Sequence, residues 1–163
     1  MRFGRYTVDP HNVKEGGQAF VYFTVDPRDG ARVAIKVARP SDWSRRRMKR
    51  EITTQLRLDH PNILPVREHA DDFGWYATDQ AECSLDGLGP FPRAQWMHFR
   101  AGMLGVASAV AYAHRKGLIH RDLSPGNVLV FAAGWTVSDW GFVHVPPMAG
   151  PRMTGAAGAL RDP

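Results

Sequence analysis

Asp122, Asn127 and Asp139 are the residues whose types and spacing can do chemistry. They stand in His120-Arg121-Asp122-Leu123-Ser124-Pro125-Gly126-Asn127, followed twelve residues after Asn127 by Asp139-Trp140-Gly141. A carboxylate, an amide and a second carboxylate in that order suit transfer of a γ-phosphoryl group. That reaction asks for a hydroxyl held in line and for metal ions held against phosphate oxygens. Asp122 can orient and deprotonate the hydroxyl. Asn127 and Asp139 offer the hard oxygen donors that Mg²⁺ prefers, and Mg²⁺ shares its shell with substrate phosphates.

The elements that must position these groups are legible along the chain. Phe20 to Val25 is β-branched and aromatic, Asp26-Pro27-Arg28-Asp29-Gly30 is turn chemistry, and Arg32 to Val37 resumes the strand, so a hairpin is expected. Glu15-Gly16-Gly17-Gln18-Ala19 precedes it as a small-residue turn. Ser41 or Asp42 can cap a helix running to about Leu58, where Asp59-His60-Pro61-Asn62 stops it, because Pro61 disfavours helical geometry at His60. Two short strands are expected next, Ile63 to Glu68 and Trp75 to Asp79, with a turn at Asp71 to Gly74. After a Gly/Pro-rich connector from Gly87 to Pro92, a long helix is expected from Pro92 to Lys116, closed by Gly117. Val128 to Phe131 and Trp135 to Val137 form a second short hairpin, and Phe142 to Pro163 is Gly/Pro/Ala-rich loop.

Composition bounds the function. At 163 residues, 44% hydrophobic and 23% charged, the chain suits one globular domain. A single Cys rules out an internal disulfide and fits a reducing compartment. No apolar run is long enough to span a membrane and no signal-peptide core is present, so the cytoplasm is the expectation. The net charge of +5 is spread, apart from Arg45-Arg46-Arg47 and Lys49-Arg50. Those five scatter around a helix and are expected to form a solvated face, with an acidic partner as the alternative. No aromatic residue interleaves with them, so nucleic-acid stacking has no support. Cys83 is expected to be an exposed thiol, and the seven His lack metal-ligand spacing.

The stretch around Asp122 and Asp139 resembles the catalytic loop and metal-binding turn of the protein-kinase superfamily, H-R-D-L-x-x-x-N and D-F-G, with Trp140 in place of Phe. Val33-Ala34-Ile35-Lys36 matches the family's V-A-I-K strand. Glu51, fifteen residues on, falls where kinases keep the Glu that holds that Lys. His60-Pro61-Asn62-Ile63-Leu64 strengthens the likeness. The resemblance covers almost the entire chain and is to bacterial-type Ser/Thr kinases. It implies an α+β fold: a complete N-lobe over residues 1–79, with an antiparallel sheet and one helix, then a hinge and the first half of a helical C-lobe over 80–163.

The resemblance also implies ATP and Mg²⁺ as cofactors and a protein hydroxyl, most simply Ser/Thr, as acceptor. Gly16 and Gly17 would approach the phosphates, Lys36 would position them, and Val21, Ala34 and Leu129 would sandwich the adenine. Thr78 would sit at the back of the pocket and Ala81 would present its backbone from the hinge Asp79 to Glu82. His120 is expected to be structural, and Arg121 to clamp a phosphorylated loop, for which Thr154 is the candidate acceptor.

Several positions depart from the family pattern. The first and third glycines of the G-x-G-x-x-G loop are Lys14 and Ala19. Ser124 replaces the Lys that touches the γ-phosphate, giving a hydrogen bond but no charge. Gln55 stands where an apolar residue stacks on the metal-turn aromatic, and it must find a partner or stay hydrated. The sequence stops before an A-P-E motif, so a truncated kinase is expected, with apolar surface exposed on the helix from Pro92. Two other readings stay open. One is a non-catalytic module binding a nucleotide or a partner. The other is a small-molecule kinase, since aminoglycoside and choline kinases carry a related loop. Oligomeric state is not legible.

Overall fold

Strand pairing begins at the turn from Asp26 to Gly30, which closes with Asp26 N–H on the Ala31 carbonyl and Gly30 N–H on the Asp26 carbonyl. Gly30 takes φ +71°, a left-handed conformation that glycine adopts without Cβ strain. The turn joins β4 (Ala19–Val25) to β5 (Arg32–Ala38) as an antiparallel hairpin, with Ala19 opposite Ala38 and Val25 opposite Arg32. A computed structural model of the chain describes residues 1–89 and 93–144. Before this hairpin lie β1 (Arg2–Phe3), β2 (Tyr6–Thr7) and β3 (Val13–Glu15). After it come α1 (Asp42–Gln55), β6 (Glu68–His69) and β7 (Trp75–Asp79). The main sheet has the order β3-β4-β5-β7-β6, antiparallel throughout.

The period-2 alternation of strands divides this sheet into two faces. Val33, Ile35 and Ala77 bury with Tyr6 and Val8 on one side. On the other, register aligns Val21 with Lys36, Phe23 with Ala34, Ala34 with Thr78, and Lys36 with Tyr76. That second row faces a cavity.

Helix α1 packs Met48 and Ile52 against Ala19 and Tyr76. Ser41 caps it, its side chain accepting from Ser44 N–H. The helix ends at Gln55, three residues short of the expected Leu58. Arg57 and Leu58 N–H fall back on the carbonyls of Thr54 and Gln55, a tighter turn that carries Leu58 into a second core beside Ile63 and Trp140.

The expected strand from Ile63 to Glu68 is mostly not a strand in this sheet. Pro65 lacks the N–H that a continuous ladder needs. Only Glu68 and His69 pair with β7, while Ile63 makes a parallel bridge to Val137 instead. The segment is thus a cross-tie between the two cores, with Leu64 N–H on the Val137 carbonyl and Val137 N–H on the Asn62 carbonyl.

The second core is built by β8 (Cys83–Ser84), α2 (Trp96–Arg115), β9 (Val128–Phe131) and β10 (Gly134–Val137). Strands β10-β9-β8 form an antiparallel sheet, and Val106, Ala109 and Ala113 of α2 pack on it. Gly102 lets the helix close on Trp135, since a Cβ there would stand 2.2 Å from the indole. Gly117, at φ +72°, ends the helix, with Leu118 N–H on the Ala113 carbonyl. The expected start at Pro92 lies outside the described residues, as do Thr154 and the loop beyond His144. Trp96, Met97 and Leu104 of α2 are exposed, as expected for this helix. Among the described residues no helix is long and apolar enough to cross a membrane.

Asp26 fastens the outer end of the first sheet. It is 1% exposed and accepts from the Arg5 guanidinium at 3.0 and 2.7 Å, from Tyr6 hydroxyl, from Arg67 and from Arg28 N–H. Arg67 also binds Asp29 and Asp79, and Arg5 also binds Glu68. Hydrogen bonding from Arg5 holds the Asp26 carboxyl far below the usual carboxylate range, despite the opposing push of burial. A carboxyl depressed on folding contributes stability above its unfolded value, about 3.9, and loses that contribution as pH falls toward the folded value. Urea midpoints are therefore expected to fall progressively below about pH 4. Asp26→Asn is expected to lower the pH 7 midpoint and flatten that acid slope; an unchanged slope would contradict the assignment.

Candidate active site

A cavity of about 380 Å³ lies between the second face of the first sheet and the strand β9 side of the second core. Gly16, Val21, Ala34, Lys36, Thr78, Ala81, Leu129, Asn127 and Asp139 line it. Gly17, Asp122 and Ser124 lie outside its wall. Cys83, expected as an exposed thiol, is half-buried in β8 and lines the cavity. The Thr78 hydroxyl is a buried group without a protein partner among the described residues, so the cavity wall carries one spare hydrogen-bonding group.

The charged groups at the cavity meet on α1. Lys36 Nζ donates to Glu51 Oε1 and Oε2 at 2.6 and 2.9 Å. Glu51 is 1% exposed and receives a further hydrogen bond of 2.7 Å from the Tyr76 hydroxyl. Burial, then the Glu51 charge, pushes the Tyr76 phenol well above its ordinary value, so it stays a donor. Tyr76 joins the site in addition to the residues expected from the sequence. The available signal is its place two residues before Thr78, on the same strand face.

His120 and Asn127 converge on the Asp122 backbone. His120 is buried, with Nε2 2.9 Å from the Ser138 carbonyl and Nδ1 accepting from Asp122 N–H at 3.2 Å. A carbonyl only accepts, so the proton sits on Nε2 and His120 is spent on structure, not on base chemistry. Asn127 Nδ2 donates to the Asp122 carbonyl at 2.7 Å and reaches Asp122 Oδ2 at 3.3 Å. Arg121 and Asp139 both hold left-handed backbone, φ +66° and +58°, on the two segments that meet here. For non-glycine residues that conformation stores strain the surroundings must sustain. Trp140 is fully buried and lies edge-on to His120, its indole N–H unpartnered among the described residues. Gln55 donates to the Leu64 carbonyl, while its Oε1 has no partner there.

One cation of the basic run leaves the expected solvated face. Arg47, expected within a solvated face, turns inward, its side chain only 12% exposed. Its guanidinium donates to Asp139 Oδ2 at 2.8 Å and lies 3.8 Å from Asp122 Oδ2. The signal was available: Arg47 stands four residues before Glu51, on the same helix face. Its neighbour Arg45 pairs with Asp72 at the surface. Asp139 also lies 3.7 Å from Lys36. Burial pushes the Asp139 carboxyl up, but Lys36 and Arg47 outweigh it and hold the group below the usual range.

Asp139 and Asn127 supply one carboxylate and one amide at the cavity wall. Among the described residues no group of three or more His, Cys, Asp or Glu gathers into a metal cage. Two hard donors fit Mg²⁺, which completes its shell with water and substrate phosphates, better than they fit a metal needing a closed protein site.

The Tyr76–Glu51 bond gives a direct stability test. Tyr76→Phe keeps the ring and removes one hydrogen bond to a buried carboxylate, a change expected to cost about 1.5–3 kcal/mol in urea unfolding. A loss near zero would show that Lys36 alone satisfies Glu51.

The protein kinase domain model matches residues 9–154. The chain is 27% identical to "Probable serine/threonine-protein kinase PknB" of Bifidobacterium longum over 96% of its own length and 25% of that protein. It is 31% identical to the serine/threonine-protein kinase PknI of Mycobacterium tuberculosis, over 84% of this chain and 26% of the relative. With cyclin-dependent kinase F-4 of rice it shares 29% identity over 83% of this chain and 32% of the relative. The chain thus spans about a quarter to a third of the length of the curated relatives it matches. Sheet, helix pair, cavity and family match agree, and the chain belongs to the protein kinase family.

Proposed function

We propose that this site takes Mg·ATP and transfers its γ-phosphoryl group to a Ser or Thr hydroxyl of a protein. The observation that carries the reading is that Lys36, Asn127 and Asp139 meet on the cavity wall, with Asp122 against Asn127 just outside it and Lys36 fixed by buried Glu51. Val21, Ala34 and Leu129 supply apolar walls suited to a purine, and Ala81 supplies backbone groups at its edge. Lys36 would hold phosphate oxygens, and Gly16 lets backbone approach them. Asn127 and Asp139 would hold Mg²⁺, which neutralises developing phosphate charge when bound.

Asp122 accepts the hydroxyl proton as the acceptor oxygen forms its bond to the γ-phosphorus. The bond from that phosphorus to the bridging oxygen breaks, and ADP leaves with the electron pair. Asn127 keeps the Asp122 loop in place through the 2.7 Å bond to its carbonyl. Serine/threonine specificity rests on the relatives' names and on the protein-kinase match, and the substrate itself is a protein by the same reasoning.

A non-catalytic nucleotide-binding reading draws on one observation: Asp122 and Asp139 share Arg47, which neutralises the carboxylates on which transfer depends. Asp122→Asn separates the two. It is expected to lower phosphoryl transfer to a Ser/Thr peptide by at least about 100-fold while leaving Mg·ATP binding within a few-fold. Unchanged turnover would remove Asp122 from the base role. A parent chain that binds Mg·ATP without transferring phosphate would establish the non-catalytic reading.

A further inference from the structure

From the place of Arg47, and resting on the nucleotide-site reading above, we infer that its guanidinium is a catalytic cation for the terminal phosphate, supplied by α1 in cis. Three carboxylates surround this end of the site: Glu51, Asp122 and Asp139. Lys36 makes two hydrogen bonds to Glu51 and lies 3.7 Å from Asp139, but it does not pair with Asp122. Ser124, in the loop beside Asp122, carries no charge. Arg47 is the cation that lies within 4 Å of both Asp122 and Asp139. A guanidinium 2.8 Å from the proposed metal ligand and 3.8 Å from the proposed base is within reach of the atom on which both act.

The surroundings are shaped for that side chain. The Arg47 guanidinium carbon lies over the Phe142 ring, 3.9 Å from its centroid, a cation–π contact. Gly141 leaves room for the stem, since a Cβ there would stand 2.8 Å from Arg47 Cγ and Nε. Arg47 does not line the cavity itself; Asp139 stands between. Beside the proposed metal ligand and the proposed base, Arg47 would address the terminal phosphate rather than the purine end of the cavity. Phosphate oxygens accept the planar fork in two parallel hydrogen bonds, which a single carboxylate oxygen does not offer. Charge developing on the non-bridging oxygens during transfer is what such a donor stabilises. Arg47 neither gains nor loses a proton; the acceptor's proton still goes to Asp122.

The test is calorimetric binding of Mg·ADP and of the imido-bridged triphosphate analogue Mg·AMP-PNP to the 163-residue chain. Arg47→Gln is expected to weaken the triphosphate about tenfold and leave Mg·ADP within about twofold. Arg47→Lys, which keeps charge and loses the fork, is expected to fall between. Equal loss for both nucleotides, no loss, or tighter binding of both would overturn the inference and leave Arg47 a mere counter-ion of Asp139. If Arg47→Gln does not fold, the triphosphate-to-diphosphate ratio of Arg47→Lys decides: a ratio below the parent's supports the role, and an unchanged ratio overturns it. A parent chain that binds neither nucleotide would instead break the nucleotide-site reading, and the inference with it.

Discussion

Glu51 is a carboxylate almost without solvent contact, and the rest of the site is arranged around that fact. An ionised carboxylate taken out of water must be paired and hydrogen-bonded or it will not stay charged. Lys36 from β5 and Tyr76 from β7 supply the partners, one from each of two adjacent strands. Satisfying Glu51 therefore fixes the rotation and depth of α1 against the sheet. Met48 and Ile52 add apolar contact, but apolar contact tolerates sliding that a buried charge does not.

The same helix then reaches the second core. One turn before Glu51, Arg47 meets Asp139, and at its C-terminal end Leu58 and the cross-tie at Asn62 to Leu64 join β10. Asp139 is thus held between Lys36 on the sheet and Arg47 on the helix. The cavity between the two cores is framed by polar contacts that meet on one helix, while its walls come from strand faces. A shift of α1 would loosen Lys36 and release Asp139 together. That coupling follows from spacing on a single helix and needs no long-range pathway.

Much of this was legible in the sequence, for identifiable reasons. The β4–β5 hairpin announced itself through β-branched runs around Asp26 to Gly30, and α1 through Ser41 and a stretch without Gly or Pro. The row Val21, Ala34, Lys36 and Thr78 follows from period 2 once the strands are placed. Local pattern did not reveal interactions made at long range. Arg47 looked like one member of a basic surface run because a charge count is blind to which face meets Asp139, 92 residues away. Tyr76 carries no local mark of its partner, because Glu51 lies 25 residues away. Pro65 broke a strand that hydropathy alone would draw, and α1 ended early because Leu58 had a second core to enter. Each miss is a tertiary demand overriding a local preference.

The organisation of the site depends on Lys36 and Glu51 acting as one unit in holding a nucleotide. Mg·ATP affinity of Lys36→Met, Glu51→Gln and the double variant measures that directly. If buried Glu51 works through Lys36, the double variant will bind no more weakly than Lys36→Met alone. Losses that simply add would mean that the two residues contribute independently, and that the buried carboxylate does not organise the site.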